Sequence, residues 1–135
     1  MIAKGFMTEK DLAEIHKKLE TELGRKGAKI DAIYYCPHHP EKGFINEVPG
    51  LKIKCDCRKP GIGLLLKTKE EFNINLRKSY LIGDKTSDIL AGKKAGCQTI
   101  LVKTGYGRRD KLFSVKPDFI VNDLLEAVKL IRKEN

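Results

Sequence analysis

Tyr80-Leu81-Ile82-Gly83-Asp84-Lys85-Thr86-Ser87-Asp88 decides the fold. Three apolar residues read as a short buried strand that ends at Gly83-Asp84. A helix follows from about Ser87 to Ala95, with Gly96 just past its end, where a left-handed residue closes a helix. Downstream, Thr99 to Val102 and Phe119 to Val121 read as further strands. Asn122 is placed to cap a last helix bearing Leu124, Leu125, Val128 and Ile131. Upstream, Pro60 opens a helix through Leu64, Leu65 and Leu66 to about Phe72, and Ala32 to Tyr35 reads as a strand. Near the N-terminus, Thr8-Glu9-Lys10-Asp11 starts a helix like a capping box. Leu12, Ile15, Leu19 and Leu23 keep helical spacing until Gly24 and Gly27 end it. Strands alternating with helices predict an α/β fold: a Rossmann-like parallel sheet with helices on both faces, in one domain over residues 1–135.

The strand expected at 32–35 delivers Cys36-Pro37-His38-His39-Pro40, and Cys55-Asp56-Cys57-Arg58-Lys59-Pro60 follows after a long loop. Cys36 with His38 and Cys55 with Cys57 form two i, i+2 pairs, each able to chelate one metal from an extended segment. Thiolates plus imidazole favour tetrahedral Zn²⁺, and four protein ligands leave no open position for chemistry, so the site reads as a structural clip. Residues 39–54, with Pro40, Gly43, Pro49 and Gly50, make a loop that needs an organiser, and a metal at its base supplies one. Directly after the clip, Arg58 and Lys59 are two cations presented from a stapled loop.

Composition bounds the rest. Of 135 residues, 41% are hydrophobic and 33% charged, which suits a globular domain with no membrane-spanning run. The absence of an apolar leader and the metal-type thiol spacing favour the cytoplasm. Cys97, alone before a strand, reads as a buried core thiol. The net charge of +9 raises a nucleic-acid partner, yet the basic residues are scattered in twos and threes among acids. With no Trp there is no stacking platform beside a basic stripe. Anionic, phosphorylated small molecules are the better match for this charge.

Ligands of open α/β sheets gather at the carboxyl ends of strands. Asp84 stands at such an end, and a hard carboxylate there suits Mg²⁺ beside a phosphate. The alternative is a cap for the following helix. Asp88 could orient Asp84 or hydrate the metal, or it could simply compensate the helix N-terminus.

Cys-x-His, then Cys-x-Cys-Arg-Lys-Pro, then Gly83-Asp84-Lys85-x-x-Asp88, then Thr104-Gly105-Tyr106-Gly107, together resemble the histidinol-phosphatase-like branch of the haloacid dehalogenase superfamily. The resemblance runs over essentially the whole chain. It implies a Mg²⁺-dependent sugar-phosphate phosphatase, with a heptose 1,7-bisphosphate losing its 7-phosphate and histidinol phosphate as the alternative substrate. By the same resemblance, Cys36, His38, Cys55 and Cys57 bind zinc and Lys59 is the cation that neutralises the phosphoryl group. Asp84 is a Mg²⁺ ligand, and Arg58 and Lys85 contact substrate or phosphate. His39 lies in the matched block without an assigned role. The reading from another class is a non-catalytic zinc module that binds nucleic acid or a protein.

The chain also departs from the family. These phosphatases carry Asp-x-Asp-Gly on their first strand, one Asp attacking phosphorus and the second acting as general acid. No Asp-x-Asp occurs in this sequence. Its opening, Ile2-Ala3-Lys4-Gly5-Phe6, is similar to the segment that follows the family's second motif. The expectation is therefore a chain lacking the first strands and inactive alone, whose partner would be an N-terminal segment bearing that motif. Its sheet would have unpaired edges beside apolar helix faces.

Overall fold

A computed structural model describes residues 1–134 as two compact units, Met1–Arg58 and the chain from Lys59 onward. In the first unit, helix α1 spans Glu9–Arg25. Thr8 is its N-cap: the Thr8 hydroxyl accepts the Asp11 N–H at 3.1 Å, and the Asp11 carboxylate accepts the Thr8 N–H at 2.7 Å. The helix ends as the glycines require. Gly27, at φ +73°, donates to Gly24 O, and Ala28 donates to Leu23 O.

Residues 32–35, expected as a strand, form no ladder among the described residues. A short apolar run becomes a strand only where another strand pairs with its backbone, and none stands beside this one. The rest of the unit is the long loop, with one 3-10 turn at Pro49–Leu51. Its order has sources in the protein as well as at the cysteines. Ala3, fully buried, donates to Pro37 O and accepts from Val48 N–H, and His39 N–H bonds Leu51 O at 3.0 Å. Lys52 is buried, its Nζ 3.6 Å from Glu47 and 4.8 Å from the Phe44 ring centroid.

The second unit holds the sheet. Helix α2 spans Gly63–Phe72, three residues later than Pro60 suggested, with Gly61, a poor helix former, in the stretch left outside it. Strand β1 (Tyr80–Gly83), helix α3 (Thr86–Ala95), β2 (Gln98–Val102), β3 (Phe119–Val121) and helix α4 (Leu124–Glu134) follow. The strands are parallel in the order β1-β2-β3, with Ile82 opposite Ile100 and Ile100 opposite Phe119. Alternation sends Tyr80, Ile82, Ile100, Val102, Phe119 and Val121 to one face, where Ala127, Leu130 and Ile131 of α4 cover them. Leu81 and Thr99 face the other way, against Gly92 of α3. Helices therefore cover both faces, as expected. Cys97 is buried, also as expected.

One N-cap moves. Asp123, not Asn122, accepts the Glu126 N–H at 2.9 Å, while Asn122 donates its N–H and its amide to the Glu126 carboxylate. Helix α4 begins at Leu124, which puts Asp123 at the cap position. Apolar faces remain uncovered elsewhere: neither α1 nor α2 has a buried residue, and Ile15, Leu19, Leu66 and Phe72 are exposed.

Two expected results follow from this packing. A Cβ at Gly92 would lie 2.5 Å from Thr99 Cγ2 and 3.2 Å from Leu81 Cβ. Thr99 cannot yield, since its hydroxyl is bonded to Asp118 at 2.8 Å. Gly92→Ala should therefore cost about 1–3 kcal/mol despite alanine's better helix propensity. An unchanged urea midpoint would show that α3 can move away freely.

The second result concerns Asp118. Its ion pair with Lys93 and its bonds from Thr99 N–H (2.7 Å) and hydroxyl hold its carboxyl below the usual value of 3.8, against desolvation. A depressed carboxylate contributes stability above its unfolded pKa and loses it as pH falls through the folded value. Asp118→Asn should flatten the acid limb of stability below about pH 4. Parallel acid limbs for wild type and variant would remove Asp118 as the cause.

Candidate metal and phosphate site

In the first unit the four chelating residues converge. Cys36 Sγ is 2.9 Å from Cys57 Sγ and 3.4 Å from Cys55 Sγ, and Cys55 and Cys57 are 3.0 Å apart. His38 Nδ1 lies 3.3 Å from Cys57 Sγ, and all four donor atoms fall within 4.8 Å of one another. A disulfide would put two sulfurs at about 2.0 Å and leave the third aside. Three sulfurs and one nitrogen gathered about one point instead approach the tetrahedron of zinc, whose sulfur–sulfur edge is about 3.7 Å. The donor set fits that metal in number, softness and convergence.

Burial opposes ionisation at all three thiols. It raises Cys36, and with the neighbouring sulfurs it pushes Cys57 up to about 12. At Cys55 it is outweighed by hydrogen bonds from Cys57, Cys36 and the Arg58 backbone, which bring that thiol down to about 7. Arg58 reaches back across the cluster, donating from Nη1 to His38 O at 3.4 Å.

In the second unit the expected residues gather at the carboxyl end of β1. Asp84 Oδ2 accepts the Tyr106 N–H at 2.7 Å, and Asp84 O accepts the Arg108 N–H at 2.8 Å. Gly105, at φ +67°, permits this approach: a Cβ there would sit 2.3 Å from Asp84 Oδ2. Of the roles weighed for Asp88, the contact seen is the one at the helix start. Asp88 is buried in the first turn of α3, where its Oδ2 accepts the Lys85 N–H at 3.0 Å, and its Oδ1 pairs with Lys59 Nζ. Gly83 leaves the room, since a Cβ there would lie 2.3 Å from Asp88 Cβ. Lys85 Nζ lies over the Tyr106 ring, 3.9 Å from its centroid. A recess of about 590 Å³ opens here, lined by Asp84, Gly105, Tyr106, Arg109 and Asp110.

Two of those lining residues, Asp110 and Arg109, were not legible in advance. Asp110 accepts Thr86 N–H at 3.0 Å and the Thr86 hydroxyl at 2.6 Å. Desolvation opposes its ionisation, but these two bonds and the charge of Lys85 hold it below its usual value. Arg109 donates to Gly105 O and, at 2.8 Å, to Tyr106 O. The Thr-Gly-Tyr-Gly block pointed to Tyr106. Nothing in the sequence pointed to Asp110 or Arg109.

A family model described as HAD-hydrolase-like matches residues 56–127. A D-glycero-beta-D-manno-heptose-1,7-bisphosphate 7-phosphatase of Pasteurella multocida is 42% identical over 106 residues, which is 77% of this chain and 54% of that protein. The Yersinia pestis protein of the same name is 34% identical over 97% of this chain and 68% of its own length. This chain thus spans little more than half to two thirds of those relatives. The solved D,D-heptose 1,7-bisphosphate phosphatase of B. bronchiseptica, complexed with magnesium and phosphate, superposes with a TM-score of 0.82. It is 29% identical, over 99% of this chain and 70% of that one. A HAD-like phosphatase structure from Mesorhizobium loti, named as putative, gives 0.76 at 27% identity, over 97% of this chain and 59% of that one.

The family model over residues 56–127 and the Yersinia pestis relative show that this chain belongs to the HAD-like hydrolases, in keeping with its parallel α/β sheet. Within the family it is homologous, over most of its length, to the heptose-bisphosphate phosphatases.

Proposed function

We propose that residues 1–135 supply the metal-holding and charge-neutralising part of a Mg²⁺-dependent phosphatase that removes the 7-phosphate of a heptose 1,7-bisphosphate. The observation that carries this reading is the grouping of Asp84, Asp88 and Lys59 at the carboxyl end of β1. The related B. bronchiseptica structure, with its magnesium and phosphate, supports it. Asp84 is the hard carboxylate for Mg²⁺, which when bound offsets charge on the phosphoryl oxygens. Lys59, half-exposed and paired with Asp88, turns its ammonium to the phosphoryl group when substrate arrives. Arg58 and Lys85 contact substrate or phosphate, Lys85 from its place over Tyr106. Cys36, His38, Cys55 and Cys57 hold a structural zinc that fixes the loop presenting Arg58 and Lys59. In the complete enzyme an Asp-x-Asp-Gly segment contributes the nucleophile and the general acid, and hydrolysis proceeds through a phosphoaspartyl intermediate.

The experiment is phosphate release with Mg²⁺ and heptose 1,7-bisphosphate, using protein from a host without the endogenous phosphatase. Residues 1–135 alone should be inactive, and adding a segment bearing Asp-x-Asp-Gly, in cis or as a separate fragment, should restore turnover. Robust turnover by the chain alone, abolished by Asp84→Asn, would reveal a nucleophile among residues 1–135. Faster hydrolysis of histidinol phosphate by the restored enzyme would overturn the substrate.

A further inference from the structure

The loop 104–113 is built unusually for a connection beside a ligand site. Gly105, Gly107, Arg108 and Lys111 all have positive φ, and two of these are not glycine. Left-handed backbone at ordinary residues persists only where the surroundings hold it. Three ties do so within this unit. Arg109 clamps Gly105 O and Tyr106 O, Arg108 N–H bonds Asp84 O, and Asp110 is bonded by both the N–H and the hydroxyl of Thr86. Thr86 is 1% exposed, and its hydroxyl also accepts the Phe113 N–H at 3.2 Å, so the far end of the loop meets the same residue.

The first turn of α3 does not depend on Asp110 alone. Asp88 already serves the Lys85 N–H there. What Asp110 adds is a fixed point on α3 for a loop whose other end carries Tyr106. The Tyr106 N–H sets the Asp84 carboxylate through Oδ2, leaving the second oxygen for a cation. A donor that orients a metal-ligating carboxylate tunes affinity without touching the metal.

We infer that Asp110, latched to Thr86, is a positioning residue that holds the Tyr106 N–H against Asp84 and so sets the divalent-cation affinity of that carboxylate. The inference rests on the reading of Asp84 as a cation ligand. Its test separates the two. Zinc-loaded protein of residues 1–135 is titrated with Mn²⁺, and paramagnetic broadening of the Asp84, Lys85 and Tyr106 amide signals is followed by NMR. Asp110→Ala should need about tenfold more Mn²⁺ for equal broadening. Thr86→Val should behave like Asp110→Ala, and Thr86→Ser, which keeps the hydroxyl, like wild type. Asp118→Asn, which removes a carboxylate of the same unit that bonds Thr99 instead of this loop, should keep wild-type affinity.

If Asp110→Ala does not fold, the two Thr86 variants decide. Equal Mn²⁺ response in wild type and the latch variants, with Asp84→Asn impaired, overturns the inference. If Asp84→Asn responds like wild type, the cation reading of Asp84 fails and exchange of the Tyr106 amide decides the latch. Exchange should be about tenfold faster in Asp110→Ala and unchanged in Asp118→Asn. Equal rates in wild type and Asp110→Ala would then overturn the positioning role itself.

Discussion

Purified residues 1–135 should carry one equivalent of zinc, and Cys57→Ser should lose most of it. Cys57 is the hub of the cluster, within 3.3 Å of Cys36, Cys55 and His38. Removing its sulfur leaves three donors where the metal takes four. Zinc binding also has to draw a proton from Cys36 and from Cys57, both held above the usual thiol value, so loading should acidify a weakly buffered solution. In zinc-finger peptides the apparent gain is about 10–16 kcal/mol, far above any other single contact in a chain this size. Chelation should therefore loosen residues 36–58 first. The ties of Ala3 to Pro37 and Val48 and the buried Lys52 should retain partial order at 37–52. Elemental analysis with and without chelator, together with hydrogen exchange, measures both. A metal-free wild type of unchanged stability would defeat the claim.

The sequence made the sheet legible for a physical reason. In Tyr80-Leu81-Ile82 and Thr99 to Val102 every residue is apolar or a β-branched threonine, because helices cover both faces and no position has to be polar. Helix ends were legible where a residue must turn left-handed, as at Gly27 and Gly96. The run 32–35 misled because apolar letters alone do not make a strand, which needs a neighbour that composition does not encode, and none of the four residues is buried. In the site, the chelate was visible because two i, i+2 pairs are local. The latch was not, since Asp110 and Thr86 stand 24 residues apart and neither belongs to a periodic pattern. Lys52 was equally hidden: a lysine reads as surface until Glu47 and Phe44 are seen around it.

With catalysis restored by an Asp-x-Asp-Gly segment, Lys59→Ala should lower turnover roughly a hundredfold or more, as expected for loss of a cation at a transferring phosphoryl group. Asp56→Ala should have a much smaller effect although it lies on the same stapled loop. Asp56 sits between two sulfur ligands and offers the phosphoryl group only a like charge. The comparison needs one correction. Lys59 pairs with Asp88, whose side chain is only 6% exposed, so its removal leaves a buried carboxylate without its cation. Part of the loss could then come from a loosened start of α3. Activity is therefore measured well below each variant's unfolding midpoint, with Asp88→Asn as a third arm. If the pair's main role were structural, Asp88→Asn and Lys59→Ala would fall together. If the ammonium acts on phosphate, Asp88→Asn keeps that charge and retains far more turnover. Equal losses in Lys59→Ala and Asp56→Ala would mean that the loop's shape, and not its charge, carries the effect.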